Sequence, residues 1–161
     1  MDYAFQLMPH PNARYQASLQ TLAAAELQCM LNAMGIDEAP VCGILGGAPF
    51  FRLRCRELTQ KELRLLAGHS ALYLWAREEN GMLLPMEKPN AEYLPGELAE
   101  LLKYKGKTNA TFTAMLVNMA RFSGKNALSS APLTVLDPMC GKGTTLFSAL
   151  TQGLNAVGVE T

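Results

Sequence analysis

The chain has 161 residues, enough for one ordinary domain or for a modest domain with part of a second one. Hydrophobic residues make up 49% of it and charged residues 17%, a balance typical of a folded globular protein. The 14 basic and 14 acidic side chains cancel, which argues against a protein that coats nucleic acid by bulk charge. The chain starts with an acid where a signal peptide carries positive charge, and no apolar run approaches the ~18 residues of a membrane span. We therefore expect a cytoplasmic protein with no membrane partner.

The four cysteines have neither a CxxC pair nor a nearby histidine at the spacing of a tetrahedral zinc site. These cysteines are Cys29, Cys42, Cys55 and Cys140. They are typical of reduced thiols, and we expect no metal.

Local patterns in the first part of the chain predict a strand and two helices. Residues 3–8 can form a short strand, and apolar residues recur at helical spacing over residues 18–34, with a glycine directly after them. Thr59 and Glu62 form a capping box for a second helix, which should end near residue 68.

Between these helices, "APFFRLRCREL" alternates as a half-buried strand does, with Phe51, Leu53 and Cys55 on the apolar face. The opposite face then carries three arginines that can contact substrate phosphates: Arg52, Arg54 and Arg56. The alternative is a solvated strand face whose arginines pair with acids such as Glu78 or Glu79.

The stretch "SALYLWAREENGMLLPME" predicts two strands around an Asn80-Gly81 turn. In its first strand, Tyr73 and Trp75 favour core packing over stacking against nucleic acid bases.

The second half of the chain begins with a segment rich in Pro and Glu, residues 87–97, which we interpret as a linker. A short helix is predicted over residues 97–103, and a longer one starts near Thr108 or Asn109 and ends before residue 124. The apolar stripe of the longer helix is predicted to consist of Phe112, Met115, Leu116 and Met119.

The last elements surround the sequence "LTVLDPMCGKGTTLFSALTQGLNAVGVE". Its "TVLD" is short and apolar, as expected of a strand buried on both faces, and Asp137 and Pro138 open a turn at its end. Gly141 and Gly143 allow the backbone to pass close to a ligand, and a helix and a second strand follow. That strand ends on Glu160, where an acid can accept hydrogen bonds from ribose hydroxyls. The pattern predicts a parallel β-α-β unit that binds a nucleoside-containing cofactor.

Three cofactor classes compete for this loop. The sequence does not match a Walker loop, because Leu136 occupies the position of the first glycine and Gly143, rather than Ser or Thr, follows the lysine. A dinucleotide loop requires a third glycine where Leu146 stands, and an acid before the glycines is unfavourable beside a pyrophosphate. S-adenosylmethionine has a sulfonium, an ammonium, a carboxylate and a ribose but no phosphate. Its positive charges suit an acid before the glycines better than a pyrophosphate does.

The segment "LDPMCGKGTTLFSAL" resembles the first motif of class I S-adenosylmethionine-dependent methyltransferases. It has the Asp-Pro-x-Cys-Gly-x-Gly-Thr form typical of enzymes that methylate exocyclic amines of nucleic acid bases. Upstream, "KYKGKTNATFTAMLVNMA" resembles the helix before that motif in the RNA methylase family whose relatives include the THUMP-associated tRNA guanine methyltransferases. The resemblance covers residues 103–160.

The resemblance implies roles for individual residues. Asp137 would lie near the methionine end of S-adenosylmethionine, and the two loop glycines would pass beneath the cofactor. Glu160 would hold its ribose. A helix N-terminus at residues 107–109 would receive the cofactor carboxylate, although an ordinary capped helix start is the alternative. Cys140 would be a packing residue rather than a nucleophile. The implied cofactor-binding residues are Lys107, Thr108, Asn109, Asp137, Pro138, Cys140, Gly141, Gly143, Thr144 and Glu160.

The order of the predicted elements indicates an α+β domain over residues 1–90, a linker and helical connector over residues 91–125, and the start of a parallel β-α-β domain over residues 126–161. The resemblance implies that the last is a Rossmann-like methyltransferase domain, and we expect the first to recognise the substrate. The expected function is methylation of a base amine in RNA, with tRNA favoured, as part of tRNA processing. A DNA amino-methyltransferase is one alternative, and a non-catalytic cofactor-binding or assembly module is another.

The Asn/Asp-Pro-Pro-aromatic motif that holds the target amine in such enzymes does not occur in this sequence, so no catalytic residue is assigned. We expect the chain to be the N-terminal part of a longer enzyme, or half of a split one, and inactive alone. Residues 133–161 should then pair with another copy to form a homo-oligomer, pack back onto the helix of residues 108–122, or become poorly ordered.

Overall fold

The computed structural model describes residues 1–10, 12–87 and 108–160. The chain is an α+β protein, as the sequence predicts at this coarse level, and it divides into two compact units, Met1–Pro89 and Asn90–Thr161. We call them the N-terminal unit and the C-terminal unit.

The N-terminal unit is built on a five-stranded sheet of order β2-β3-β1-β4-β5, in which every neighbouring pair is antiparallel. The strands are β1 (Asp2–Leu7), β2 (Val41–Leu45), β3 (Ala48–Arg54), β4 (Leu72–Glu79) and β5 (Met82–Pro85). Two helices accompany them, α1 (Ala13–Ala33) and α2 (Gln60–Leu66).

Local capping explains where these helices begin and end. The Asn12 side chain accepts hydrogen bonds from the backbone N–H groups of Arg14 and Tyr15, so α1 begins five residues before the predicted start at residue 18. It ends as predicted, with Gly35 at a φ of +67°. The predicted capping box of Thr59 and Glu62 is present at the start of α2.

The core face of the sheet carries large apolar side chains from its three central strands. Phe5 in β1 lies opposite Phe51 in β3 and Trp75 in β4, and its ring centroid is 5.7 Å from that of Trp75. All three rings are buried together with Leu27 of α1. Core packing of Trp75 is therefore confirmed.

The same prediction is wrong for Tyr73, which is 61% exposed. The register between β1 and β4 shifts at this point, since Gln6 pairs with Leu74 and Leu7 with Leu72. Tyr73 is the extra residue of this bulge, and it therefore has no place on the core face.

The turn between β4 and β5 forms at the predicted dipeptide. Asn80 and Gly81 both have positive φ, +51° and +75°, as a two-residue hairpin turn of type I′ requires.

The C-terminal unit contains α3 (Ala110–Phe122), β6 (Thr134–Asp137), α4 (Thr144–Thr151) and β7 (Asn155–Gly158). Strands β6 and β7 form a two-stranded parallel sheet, so β6, α4 and β7 make the predicted β-α-β unit. Its core consists of Val117, Ala149 and Leu154, with Leu133, Val135 and Ala156 packed against them. Of the three outcomes expected for residues 133–161, packing onto the upstream helix is the one seen within this unit.

The prediction that β6 is buried on both faces is wrong. Val135 packs toward the helices, but Leu136 on the opposite face is 63% exposed, and Val157 beside it in β7 is also exposed. Among the described residues of this unit, both helices contact the Val135 face, so the sheet is covered on one side.

The predicted stripe of α3 is partly wrong as well. Met115 is buried, but Phe112 and Leu116 are exposed, and the buried face of the helix also includes Thr113 and Val117. The helix is rotated so that Val117 contacts Ala149 and Leu154, a contact that helical spacing alone does not specify. The predicted helix of residues 97–103 and all but the first residue of the predicted linker lie outside the described residues.

Candidate functional site

The candidate site lies where β6 ends and the chain turns into α4. In a parallel β-α-β unit, the carboxyl ends of both strands meet at one edge of the sheet, which is where such folds bind ligands. Here Asp137, the last residue of β6, pairs with Gly158, the last residue of β7. The Asp137 carboxylate accepts a hydrogen bond from the N–H of Met139 at 3.1 Å, which fixes the turn after the strand.

The two predicted loop glycines adopt backbone conformations that other residues avoid. Gly141 has a φ of +50° and Gly143 a φ of +82°. Gly143 is the N-cap of α4, and its carbonyl accepts the helical hydrogen bond from Phe147 at 2.9 Å. The glycines are therefore needed for the turn itself.

Glu160 is joined to the loop rather than projecting away from it. Its Oε2 accepts a hydrogen bond from the Gly141 N–H at 2.7 Å. The backbone adds two further links, because the Val159 N–H donates to Asp137 O at 2.9 Å and the Cys140 N–H donates to Val159 O at 3.0 Å. The structure thus joins Asp137, Gly141 and Glu160 into one constellation.

Gly158 is a further residue of the site that the motif did not identify. A Cβ atom added there would lie 2.7 Å from Cys140 Sγ and 2.7 Å from Leu146 Cδ1, so a larger residue would require these side chains to shift. A glycine inside a predicted strand is the sequence pattern that could have indicated such an approach.

The other motif residues differ in their burial and in their hydrogen bonds. Cys140 is half-buried against Gly158, Thr144 is buried at the start of α4, and Pro138 is exposed. Upstream, the Asn109 side chain caps α3 by accepting a hydrogen bond from the Phe112 N–H at 2.9 Å. Thr108 beside it is exposed, and Lys107 lies outside the described residues.

The three arginines of the predicted phosphate-contacting face are each paired with a carboxylate in the N-terminal unit. Arg52 lies 3.1 Å from Glu78, Arg54 lies 2.7 Å from Asp2, and Arg56 lies 2.6 Å from Glu62. The hydrogen bond with Asp2 raises the pKa of Arg54, and the hydrogen bond with Glu62 raises that of Arg56.

Arg56 also departs from the sequence interpretation, because β3 ends at Arg54 and Arg56 follows it outside the strand. The pairing of Arg52 with Glu78 is the arrangement of the alternative interpretation, a solvated face with neighbouring acids. The phosphate-binding role of these arginines stays a prediction.

A buried polar cluster in the N-terminal unit was not predicted. Glu26 of α1 is fully buried and accepts hydrogen bonds from Ser70 N at 2.8 Å and Ser70 Oγ at 2.5 Å. His69, also buried, accepts at Nδ1 from the Ala71 N–H at 3.2 Å, so its Nε2 carries the proton and donates to Ala23 O at 3.0 Å. His69 Nε2 also lies 3.6 Å from Glu26 Oε2. Together these contacts tie α1 to the turn before β4.

The described ranges contain neither a metal-binding group nor a membrane-spanning helix. No group of three or more His, Cys, Asp or Glu residues there is placed to hold a metal ion, and the four cysteines form no disulfide. Of the helices in those ranges, none is long and apolar enough to cross a membrane.

Comparison with models of protein families, with curated proteins and with solved structures finds no match to this chain.

Proposed function

We propose that the loop between β6 and α4 binds S-adenosylmethionine and that the protein is an S-adenosylmethionine-dependent methyltransferase acting on an exocyclic base amine of RNA, with tRNA as the favoured substrate. The observation that carries the proposal is the constellation of Asp137, Gly141 and Glu160 at the carboxyl edge of a parallel β-α-β unit. In this proposal the C-terminal unit belongs to a Rossmann-like methyltransferase domain.

The hydrogen bonds of the loop support a cofactor without phosphates. Loops that bind phosphates direct free backbone N–H groups at the ligand. Here the N–H of Cys140 donates to Val159 O, that of Gly141 to Glu160, and that of Gly143 to Cys140 O at 2.7 Å. Because these three donors are engaged within the protein, the loop is poorly suited to a pyrophosphate.

The two carboxylates beside the loop favour the same cofactor, although Lys142 between the loop glycines is a cation. Asp137 and Glu160 are both carboxylates, and a cation is stabilised beside them while a polyphosphate is repelled. Glu160 uses one oxygen for the loop, and a carboxylate has further lone pairs with which to accept hydrogen bonds from ribose hydroxyls. The bound cofactor would supply an electrophilic methyl group, and the residues of this chain would bind and orient it.

Cofactor binding is tested by isothermal titration of S-adenosylmethionine into the full chain and into Asp137→Asn. Asparagine can still accept the hydrogen bond from Met139, so the variant removes charge and keeps the turn. We expect it to bind about tenfold more weakly, since one charge interaction with the cofactor is lost. Asp37→Asn, which removes the same charge from an exposed position of the N-terminal unit, should bind like the unchanged chain. Equal affinities for all three proteins would contradict the proposal.

The substrate is tested separately, by transfer of a labelled methyl group from S-adenosylmethionine to bulk tRNA and to duplex DNA with the native protein purified from its source. Labelling of tRNA is the expected result. Labelling of DNA alone would replace the RNA substrate by the DNA alternative, and cofactor binding without transfer to either would favour a binding module.

A further inference from the structure

The loop between β6 and α4 is held by a side chain as well as by backbone hydrogen bonds. Two of its bonds join backbone groups, because the Gly143 N–H donates to Cys140 O at 2.7 Å and the Cys140 N–H donates to Val159 O at 3.0 Å. The Gly141 N–H donates instead to Oε2 of Glu160, a side chain 19 residues further along the chain, at 2.7 Å. The middle of the loop is therefore joined by a carboxylate to the segment that follows β7.

The conformation of Gly141 depends on bonds of this kind. Its φ of +50° lies in the left-handed region, and glycine loses more conformational freedom on ordering than any other residue. An acceptor that fixes the direction of its N–H offsets part of that loss. A carboxylate suits this task, because hydrogen bonds to ionised groups are shorter and stronger than those between neutral groups. Since Glu160 is exposed, water competes for the same acceptor, and we expect an effect of a few-fold.

We propose that Glu160 is a positioning residue of the cofactor site as well as a ribose ligand. Its carboxylate holds Gly141 in the conformation that receives the methionine end of S-adenosylmethionine, and its remaining lone pairs serve the ribose hydroxyls. This role rests on the proposed cofactor. Its consequence is that losing the carboxylate weakens the binding of parts of the cofactor that Glu160 does not contact, because the loop beneath them is no longer ordered in advance.

The holding of the loop is measured without any ligand, as the exchange of the Gly141 amide with water in the ¹⁵N-labelled full chain. In Glu160→Ala this exchange should be about threefold faster or more, as expected for one lost hydrogen bond. Glu160→Gln should keep part of the protection, because its amide oxygen can still accept from Gly141. The Phe147 amide, bonded within α4 to Gly143 O, should exchange at an unchanged rate in both variants.

The consequence for the cofactor is measured by isothermal titration of S-adenosylmethionine and of an analogue that lacks both ribose hydroxyls. Glu160→Ala should bind the analogue about threefold more weakly than the unchanged chain does. A residue that contacted only the ribose hydroxyls would leave that affinity unchanged. Glu160→Gln should restore part of it, and Glu57→Ala, at an exposed position of the N-terminal unit, should have no effect. Circular dichroism shows whether each variant keeps the fold.

The outcomes separate the positioning role from the proposed cofactor. Unchanged exchange of the Gly141 amide in Glu160→Ala, or equal affinity of Glu160→Ala and the unchanged chain for the analogue, would overturn the positioning role alone. Failure of the unchanged chain to bind S-adenosylmethionine would contradict the proposed cofactor and, with it, the link between loop and ligand. The exchange measurement decides whether Glu160 holds the loop in either case.

Discussion

Removing the charge of Glu62 is expected to lower the stability of the N-terminal unit in a pH-dependent way. The Glu62 carboxylate at the start of α2 accepts hydrogen bonds from Arg56 at 2.6 and 3.0 Å and from the N–H and hydroxyl of Thr59, both at 2.8 Å. The Arg56 guanidinium, followed by the Thr59 hydrogen bonds, lowers the pKa of Glu62 from its ordinary 4.5 to about 2, against the opposing effect of burial.

The pKa fixes both the size and the sign of the effect. A depression of this size corresponds to at most about 3 kcal/mol at neutral pH. The Arg56 side chain is 49% exposed, so solvent screening reduces the expected value to about 1–2 kcal/mol. Because the folded pKa lies below the unfolded one, this stability is fully present above pH 4.5 and is lost as the pH falls through about 2.

The assay is urea unfolding of the unchanged chain and of Glu62→Gln, followed by the fluorescence of Trp75, the single tryptophan, which is buried in the core of the N-terminal unit. Glutamine can still close the capping box, so the variant isolates the charge. The variant should be less stable at pH 7, and the two proteins should converge as the pH approaches 2. Glu57→Gln, at an exposed neighbouring position, serves as the control. A difference between Glu62→Gln and the unchanged chain that stays constant from pH 7 to 2.5 would refute the reasoning.

Three further substitutions test individual features. Gly143→Ala forces alanine to a φ of +82° and should destabilise the C-terminal unit by about 1–2 kcal/mol in thermal unfolding; an unchanged midpoint would mean that the loop tolerates another conformation. Gly158→Ala places a Cβ atom 2.7 Å from Cys140 Sγ and Leu146 Cδ1 and should cost about 1–3 kcal/mol in the same assay, so a neutral result would show that these side chains can move aside. Arg54→Gln removes a highly exposed ion pair and should leave the urea midpoint unchanged, whereas a clear loss would show that the pair stabilises the sheet.

The sequence predicted those parts of the fold that depend on neighbouring residues. The capping box of Thr59 and Glu62, the Asn80-Gly81 turn and the end of α1 shortly before Gly35 are each encoded within a few residues. The parallel pairing of β6 and β7 also followed from local pattern, because a short helix between two apolar strands favours that topology.

The parts that were missed depend on residues far apart in the chain. The exposure of Tyr73 results from a bulge in the pairing of β1 with β4, and no pattern within β4 encodes that register. The buried cluster of Glu26 and His69 joins two segments more than 40 residues apart, as its hydrogen bonds show. Periodicity identifies a helix but not its rotation, which is why the exposure of Leu116 was not predicted.

At the candidate site, too, the sequence predicted the residues of the local motif but not the contacts between segments distant in the chain. The motif identified Asp137, the loop glycines and Glu160, but the hydrogen bond between Glu160 and Gly141 depends on how the loop folds back toward β7. The role of Gly158 likewise depends on contacts with Cys140 and Leu146.

The most direct test of the proposed cofactor is a titration of the ¹⁵N-labelled chain followed by two-dimensional NMR. S-adenosylmethionine should shift the amide signals of Gly141, Gly143 and Val159 together in a saturable way, because these residues surround the constellation of Asp137 and Glu160. ATP at the same concentration should leave these signals in place, since the loop donors are engaged within the protein and the two carboxylates repel phosphates. Shifts of the loop amides with ATP and not with S-adenosylmethionine would contradict the proposed cofactor.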